Sequence, residues 1–557
     1  MHKMRQASGH WSKLFLRRWA PYMLALAPLL FVVVMLVAPS LRLVWEGIWG
    51  QDLAMGLSEE AGTGPAAGNT WSIVQDPDLR WRMGWSLMQA TATCLLALVL
   101  GVPLAWVLAR WQFTGRDWVL RLLMLPFVVP TLVAALGVLA LWGPCGWLGA
   151  PLAAAGFELE ETPWMLLYGN LFFNLCLLVR AGVQALEQVS STRLAAARTL
   201  GATAWRAFWR IEWPVMVPWL ASSLCLVFLY CFSGFGLALV LGGQRYATVE
   251  VEIYRLVAHE LALAQASRLA LWTMGLNTLA ALAYAWVEQR LASPAHVTPL
   301  PRRQVTSLTQ RCVLAAVLLV LFMVSGAPLL AIVLRALLAL ANTNSMALLL
   351  NEETLSALQN TLVFSTLALC FSSLLGVLHA LALHASEIAG WRKVAARTAS
   401  FLPFAVSPVM MAFGLLLLYP QWSASLPVLL GAYALLAYPF VATALTAALD
   451  QLPASYTQAA ATLGARPWRV FWRVTLPLIS PALRRGASFA AATALGEFAV
   501  SLFLSRPEWT TLTTLIHQHL GRPGASHLDA AMLLSALLML LTLGCFILIE
   551  THDRSVS

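Results

Sequence analysis

The chain is short of charge. Only 11% of its 557 residues are Asp, Glu, Lys or Arg, against about 25% in a soluble domain. With 60% apolar residues and a mean hydropathy of +0.75, it lacks the polar surface needed to cover itself. That excludes an ordinary soluble protein and a disordered one alike. Cysteine is sparse: eight residues are spread through apolar runs with no CxxC pair, and the closest two are Cys225 and Cys231. A disulfide scaffold is excluded, and these residues read as small apolar packing groups. Lysine is nearly missing. Lys3, Lys13 and Lys393 stand alone among 35 basic residues, and none lies in a Gly-rich loop. A P-loop needs that Lys, so any ATP hydrolysis belongs to another chain. No Ser nucleophile elbow or Cys–His arrangement stands out, so the chain does not read as an enzyme. No basic run with interleaved aromatics occurs outside the apolar segments. The net charge of +10 therefore points to basic loops against an anionic membrane face, and not to nucleic acid. Alternating segments of roughly ten residues, the mark of a membrane β-barrel, are also absent.

Long apolar runs are what the chain has. They fall at about 21–44, 85–109, 118–142, 164–186, 216–241, 265–288, 312–334, 357–385, 398–419, 427–448, 483–505 and 528–550. Each is long enough to span a bilayer as a helix, so the expectation is an all-α polytopic membrane protein with about 12 spans. The first run follows Lys3, Arg5, Lys13, Arg17 and Arg18 like a signal peptide, but it is long and has no good cleavage site, so it reads as a retained span. With a cytoplasmic N-terminus, 26 of the 35 Lys and Arg fall on the inside, while Asp52, Glu59, Glu60, Asp76, Asp78, Glu158, Glu160, Glu161, Glu352 and Glu353 fall outside. That asymmetry places both termini in the cytoplasm.

The chain repeats itself. Residues 196–218 and 459–481 align without gaps: Gly201, Trp205, Phe208, Arg210, Pro214 and Pro218 recur as Gly464, Trp468, Phe471, Arg473, Pro477 and Pro481. The constant offset of 263 also relates Phe235 to Phe498 and Ile253 to Ile516. Each copy lies between the fourth and fifth spans of its half, so the halves are parallel six-span repeats. The expected organisation is a half at 1–288 (transport domain about 85–288), a linker at 289–311, and a half at 312–557 (transport domain about 357–550). Each copy reads as a helix, a Gly that permits a left-handed turn, and a short second helix with an aromatic face. A helix with exposed aromatics and Arg suits a partner's groove; the alternative is an amphipathic helix lying on lipid headgroups.

These paired segments resemble the EAA loop of binding-protein-dependent ABC transporter permeases, and the doubled pattern implies the type I importer permease fold. The family's Glu is missing from both copies, with Ala195 and Gln458 near its place. The resemblance assigns ATPase coupling to Ala196, Gly201, Trp205, Phe208, Arg210 and Pro214, and to Ala459, Gly464, Trp468, Phe471, Arg473 and Pro477. It implies as partners two copies of an ABC ATPase, which would bind ATP and Mg, and a periplasmic substrate-binding protein. The chain itself would need no cofactor. The fused form resembles the thiamine and ferric-iron permease group. Phe172-Phe173-Asn174-Leu175 with Gln184-Ala185-Leu186-Glu187 is most similar to thiamine permeases, while Leu241-Gly242-Gly243 and Thr511–Ile516 are shared with ferric-iron permeases.

Candidate pathway residues are Asn174, Tyr230, Phe235, Glu497 and Phe498. Glu497 is the acid placed inside an apolar stretch, where a carboxylate is costly unless it serves a partner or a substrate. Against one acid, the inward aromatics favour an organic cation over a bare trivalent ion. His517, His519 and His527 form a weak metal pattern and read as polar residues at a membrane edge. A secondary transporter would show paired intramembrane carboxylates, which the sequence lacks.

Overall fold

In lipid, backbone polar groups must be satisfied within the segment, so the apolar runs fold as helices. The computed structural model describes residues 23–50, 76–160, 162–290, 300–341, 349–385, 402–423, 425–504 and 506–551. The basic start (Lys3 to Arg18), Asp52, Glu59, Glu60, Glu161, Pro294, Pro299, Glu387 and the basic residues of 392–397 lie outside these. In the first half the helices are α1 (Met23–Trp49), α2 (Pro77–Arg110), α3 (Arg116–Val128), α4 (Thr131–Trp142), α5 (Pro163–Glu187), α6 (Ser191–Thr199), α7 (Ala204–Phe232), α8 (Gly236–Leu241), α9 (Val249–Ala258) and α10 (Leu263–Arg290). The second half contributes α11 (Leu308–Leu340), α12 (Glu352–Ala385), α13 (Pro408–Leu418), α14 (Leu426–Gln451), α15 (Ala454–Thr462), α16 (467–495), α17 (Ala499–Leu504), α18 (Leu512–Leu520) and α19 (Ala525–Thr551).

Nine helices among the described residues are long and apolar enough to cross a membrane, and the bent pair α3–α4 makes a tenth. Four expected spans come out differently. Of the run at 398–419, the described residues give only a four-residue helix, Leu402–Ala405, and the eleven-residue α13, too short to count among the nine. The run at 118–142 is bent by 107° between α3 and α4, because Pro130 offers no N–H and holds the residue before it extended. The run at 216–241 begins at Ala204 and stops at Phe232, and α8 restarts it after Ser233-Gly234-Phe235. The run at 483–505 divides likewise into α16 and α17, around Gly496-Glu497-Phe498.

The repeat reaches well beyond the aligned motif. Helices α6 and α15 have nine residues each, and both α7 and α16 contain a five-residue wide turn, Phe208–Glu212 and Phe471–Thr475. Helices α2 and α12 are both 34 residues long. The backbone N–H of Val249 donates to Ser86 Oγ at 2.9 Å, and that of Leu512 to Thr361 Oγ1 at 2.9 Å. Each first long helix thereby pins the start of α9 or α18 in the same way, which fixes the equivalence of α2 with α12.

Packing groups the chain differently from the repeat. One compact unit comprises Glu352–Thr514 and Leu540–Ser557 with the chain up to Leu43; the other comprises Val44–Asn351 with Leu515–Met539. The first unit thus takes most of α1, and the second takes α11. Within the first, Gly414 meets Pro39: a Cβ on Gly414 would lie 2.9 Å from the Pro39 carbonyl oxygen. Within the second, a Cβ on Gly137 would lie 2.9 Å from both Ile332 Cδ1 and the Pro328 carbonyl oxygen. In each unit a glycine without a side chain lets two helices approach closely. Part of the linker is also anchored. Trp111–Gln112 (β1) pairs in parallel with Arg303–Gln304 (β2), and Leu300 packs against the apolar core around Leu108 and Leu186.

Candidate functional site

Each of the two repeated segments is built from local signals. Helix α6 ends on Gly201 at φ +80°, and α15 ends on Gly464 at φ +78°. The turn closes with Ala202 N–H on the Ala197 carbonyl (3.0 Å) in one copy and Ala465 N–H on the Ala460 carbonyl (3.1 Å) in the other. These bonds satisfy carbonyls that the helix end leaves open. Thr203 Oγ1 then accepts from the Arg206 N–H at 3.3 Å, opening α7; in the second copy Pro467 takes the first helical position, where a missing N–H does no harm.

The short second helix does not stop before the span, as expected from the sequence, but runs into it through the wide turn. Trp213 N–H bonds back five residues to the Phe208 carbonyl, and Leu476 N–H to the Phe471 carbonyl. Pro214 and Pro477 lack the N–H of a normal helical turn, and the extra residue in the preceding turn accommodates them. Leu200 and Leu463 are each 88% exposed, and Trp205 and Trp468 are each 71% exposed. Trp209 and Trp472 are exposed as well, whereas Phe208 turns partly inward onto the core. The two segments thus present the same exposed apolar side chains.

Around the first segment lies a polar layer that the sequence reading missed. Arg110 Nη2 donates to Glu212 Oε1 at 2.6 Å and Trp106 Nε1 to Glu212 Oε2 at 3.1 Å, with both charged side chains buried. Arg116 Nε donates to the Leu108 carbonyl at 2.7 Å, and its Nη2 lies 3.2 Å from Glu187 Oε1, which Arg302 also meets at 3.0 Å. Removing one partner of the buried Arg110–Glu212 pair costs about 3–5 kcal/mol. The available signal was Glu212 itself, the single acid between Glu187 and Glu250.

The candidate pathway residues separate into the two units. In the unit holding α2 and α5, Asn174 Nδ2 donates to the Asn170 carbonyl at 2.8 Å and lies 3.3 Å from Cys231 Sγ. Asn170 Nδ2 donates to Gln89 Oε1 at 2.7 Å, and Gln89 Nε2 to the Cys231 carbonyl at 2.8 Å. This buried carboxamide cluster includes two residues, Gln89 and Asn170, that the sequence reading did not single out. Tyr230 packs edge-on to Phe127 and Phe235 to Tyr254. Phe172 is fully buried in packing. In the other unit Phe498 is buried, and Glu497 Oε1 accepts the Val500 N–H at 3.0 Å, which caps α17. Tyr433 hydrogen-bonds Ser501 and the Glu497 carbonyl, which Thr513 Oγ1 also meets at 2.9 Å. Glu497 is not the only buried acid. Glu250 and Glu252 in α9 are also buried, and Glu252 pairs with Arg255 at 2.5 Å and Arg82 at 3.6 Å.

A capping role for Glu497 has a direct consequence. Glu497→Gln keeps an oxygen for the Val500 N–H and should melt as the native chain does. Glu497→Ala loses the cap and should destabilise its unit by about 1 kcal/mol. Thermal unfolding in detergent measures both.

The family model described as binding-protein-dependent transport system inner membrane component matches residues 101–293 and again 315–554. The chain belongs to this family. It is the membrane subunit of an ABC importer, carrying both permease halves in one polypeptide. Among relatives, it is 28% identical over 506 residues to the thiamine transport system permease protein ThiP of Escherichia coli (strain K12), covering 87% of this chain and 90% of that one. It is 27% identical over 538 residues to the protein of the same name from Brucella abortus (strain 2308), covering 94% and 95%. The molybdenum transport system permease protein ModB of Mycobacterium bovis is 28% identical over 242 residues, covering 43% of this chain and 83% of ModB. ModB therefore matches 43% of this chain, and the two thiamine permeases match 87% and 94% of it.

Proposed function

We propose that this permease imports thiamine, received from a periplasmic binding protein and driven by two copies of a separate ATPase that bind ATP and Mg. The observation carrying the substrate is identity of 27–28% to thiamine permeases over nearly nine-tenths or more of both chains, in different genera. Two copies are supported by the paired segments, whose exposed Leu and Trp and left-handed Gly match in number and geometry. Surfaces so alike fit one groove twice. The positive-inside asymmetry supports a cytoplasmic position for both segments and both termini.

Deleting the gene should abolish high-affinity thiamine uptake and leave ferric-iron uptake intact, measured with labelled solutes in cells. Normal thiamine uptake with impaired ferric uptake would move the assignment to the iron permeases. Uptake into proteoliposomes should require ATP and persist when the proton gradient is collapsed.

A further inference from the structure

Glu212 stands where the segment bearing the exposed tryptophans becomes a span. It is 5% exposed, at the end of the wide turn Phe208–Glu212. Both of its oxygens are taken by one face of α2, through Arg110 at 2.6 Å and Trp106 at 3.1 Å. These two residues lie one helical turn apart. The end of α2 is held in turn. Arg116 binds the Leu108 carbonyl at 2.7 Å and reaches Glu187, at the end of α5, at 3.2 Å. A displacement of Trp205 therefore reaches α2 and α5 through charge-assisted bonds of fixed direction, and not through apolar contacts alone, which can slide. The second repeat is made differently. Its residues equivalent to Glu212, Trp106 and Arg110 are Thr475, Leu381 and Ala385, which provide no ion pair.

We propose that Glu212 is a positioning residue for coupling: held by Arg110 and Trp106, it ties movement of the first coupling segment to α2, so that the first half follows the ATPase more rigidly than the second. This rests on the reading of both segments as ATPase contacts.

The test is the number of ATP hydrolysed per thiamine transported, in proteoliposomes holding the chain, its ATPase and thiamine-loaded binding protein. Loss of folded protein lowers hydrolysis and transport together and leaves this ratio alone, so a merely structural role would not move it. In Glu212→Gln the amide NH2 faces a second donor, and the ratio should rise at least threefold. The double variant Arg110→Met/Glu212→Met fills the same volume with apolar groups, an exchange that usually preserves folding, and should raise the ratio equally. Return of the ratio toward native in the charge-swapped pair Arg110→Glu/Glu212→Arg would support the latch. A native ratio in the double Met variant overturns it. Failure of the unmodified chain to retain its ATPase would overturn the coupling reading instead, so the two failures are distinct.

Discussion

Replacing Gly201 and Gly464 together by Val is expected to lower thiamine uptake at least tenfold while the chain still reaches the membrane in native amount. Apart from the glycine and its two chain neighbours, nothing lies within 4 Å of a Cβ built at either position, so crowding is not the obstacle. The obstacle is the backbone, at φ +80° and +78°. An L-residue there costs roughly 1–2 kcal/mol, and a β-branched one more. The segment escapes that strain by opening the turn, which swings Trp205 and Trp468 away from their native direction. The spans on either side keep their own packing, so insertion survives. Asn tolerates the left-handed region, and Gly201→Asn/Gly464→Asn should retain most uptake. The measurements are uptake and ATPase stimulation by loaded binding protein. Native values in the Val variant would refute docking through these turns.

The double variant Trp205→Ala/Trp468→Ala should release the ATPase. Both indoles are 71% exposed, so their loss changes the stability of the chain by only about 0.5 kcal/mol. Anchors that fill a partner's pocket commonly contribute 2 kcal/mol or more each, about thirtyfold in affinity. Co-purification from detergent and a binding isotherm in nanodiscs measure the effect. Unchanged retention, with altered partition into anionic vesicles, would instead favour an amphipathic helix lying on lipid. The single variants should each weaken binding by a similar factor, because the two segments present the same surface.

The sequence by itself determined the material and the repeat, but not the number of unbroken spans, twelve apolar runs giving nine long helices and one bent pair among the described residues. Apolar runs of about 20 residues have one backbone solution in lipid, and the recurrence of Gly201-x3-Trp205 as Gly464-x3-Trp468 is readable without coordinates. Both glycines could be placed in left-handed turns because that preference is local to the residue. Tertiary structure decided what lies between residues far apart. That Glu497 caps α17 is seen only once the fold brings the Val500 N–H to its carboxylate. Glu212 looks like a surface acid until α2 brings Arg110 and Trp106 to its two oxygens. The grouping of α1 with the second half's helices, and of α11 with the first half's, was likewise invisible. A run of Val, Leu and Ala states that it avoids water but not which helix it will lie against. That choice is made by close fit, at Gly414 on Pro39 and at Gly137 on Pro328, and fit exists only once both helices are in place.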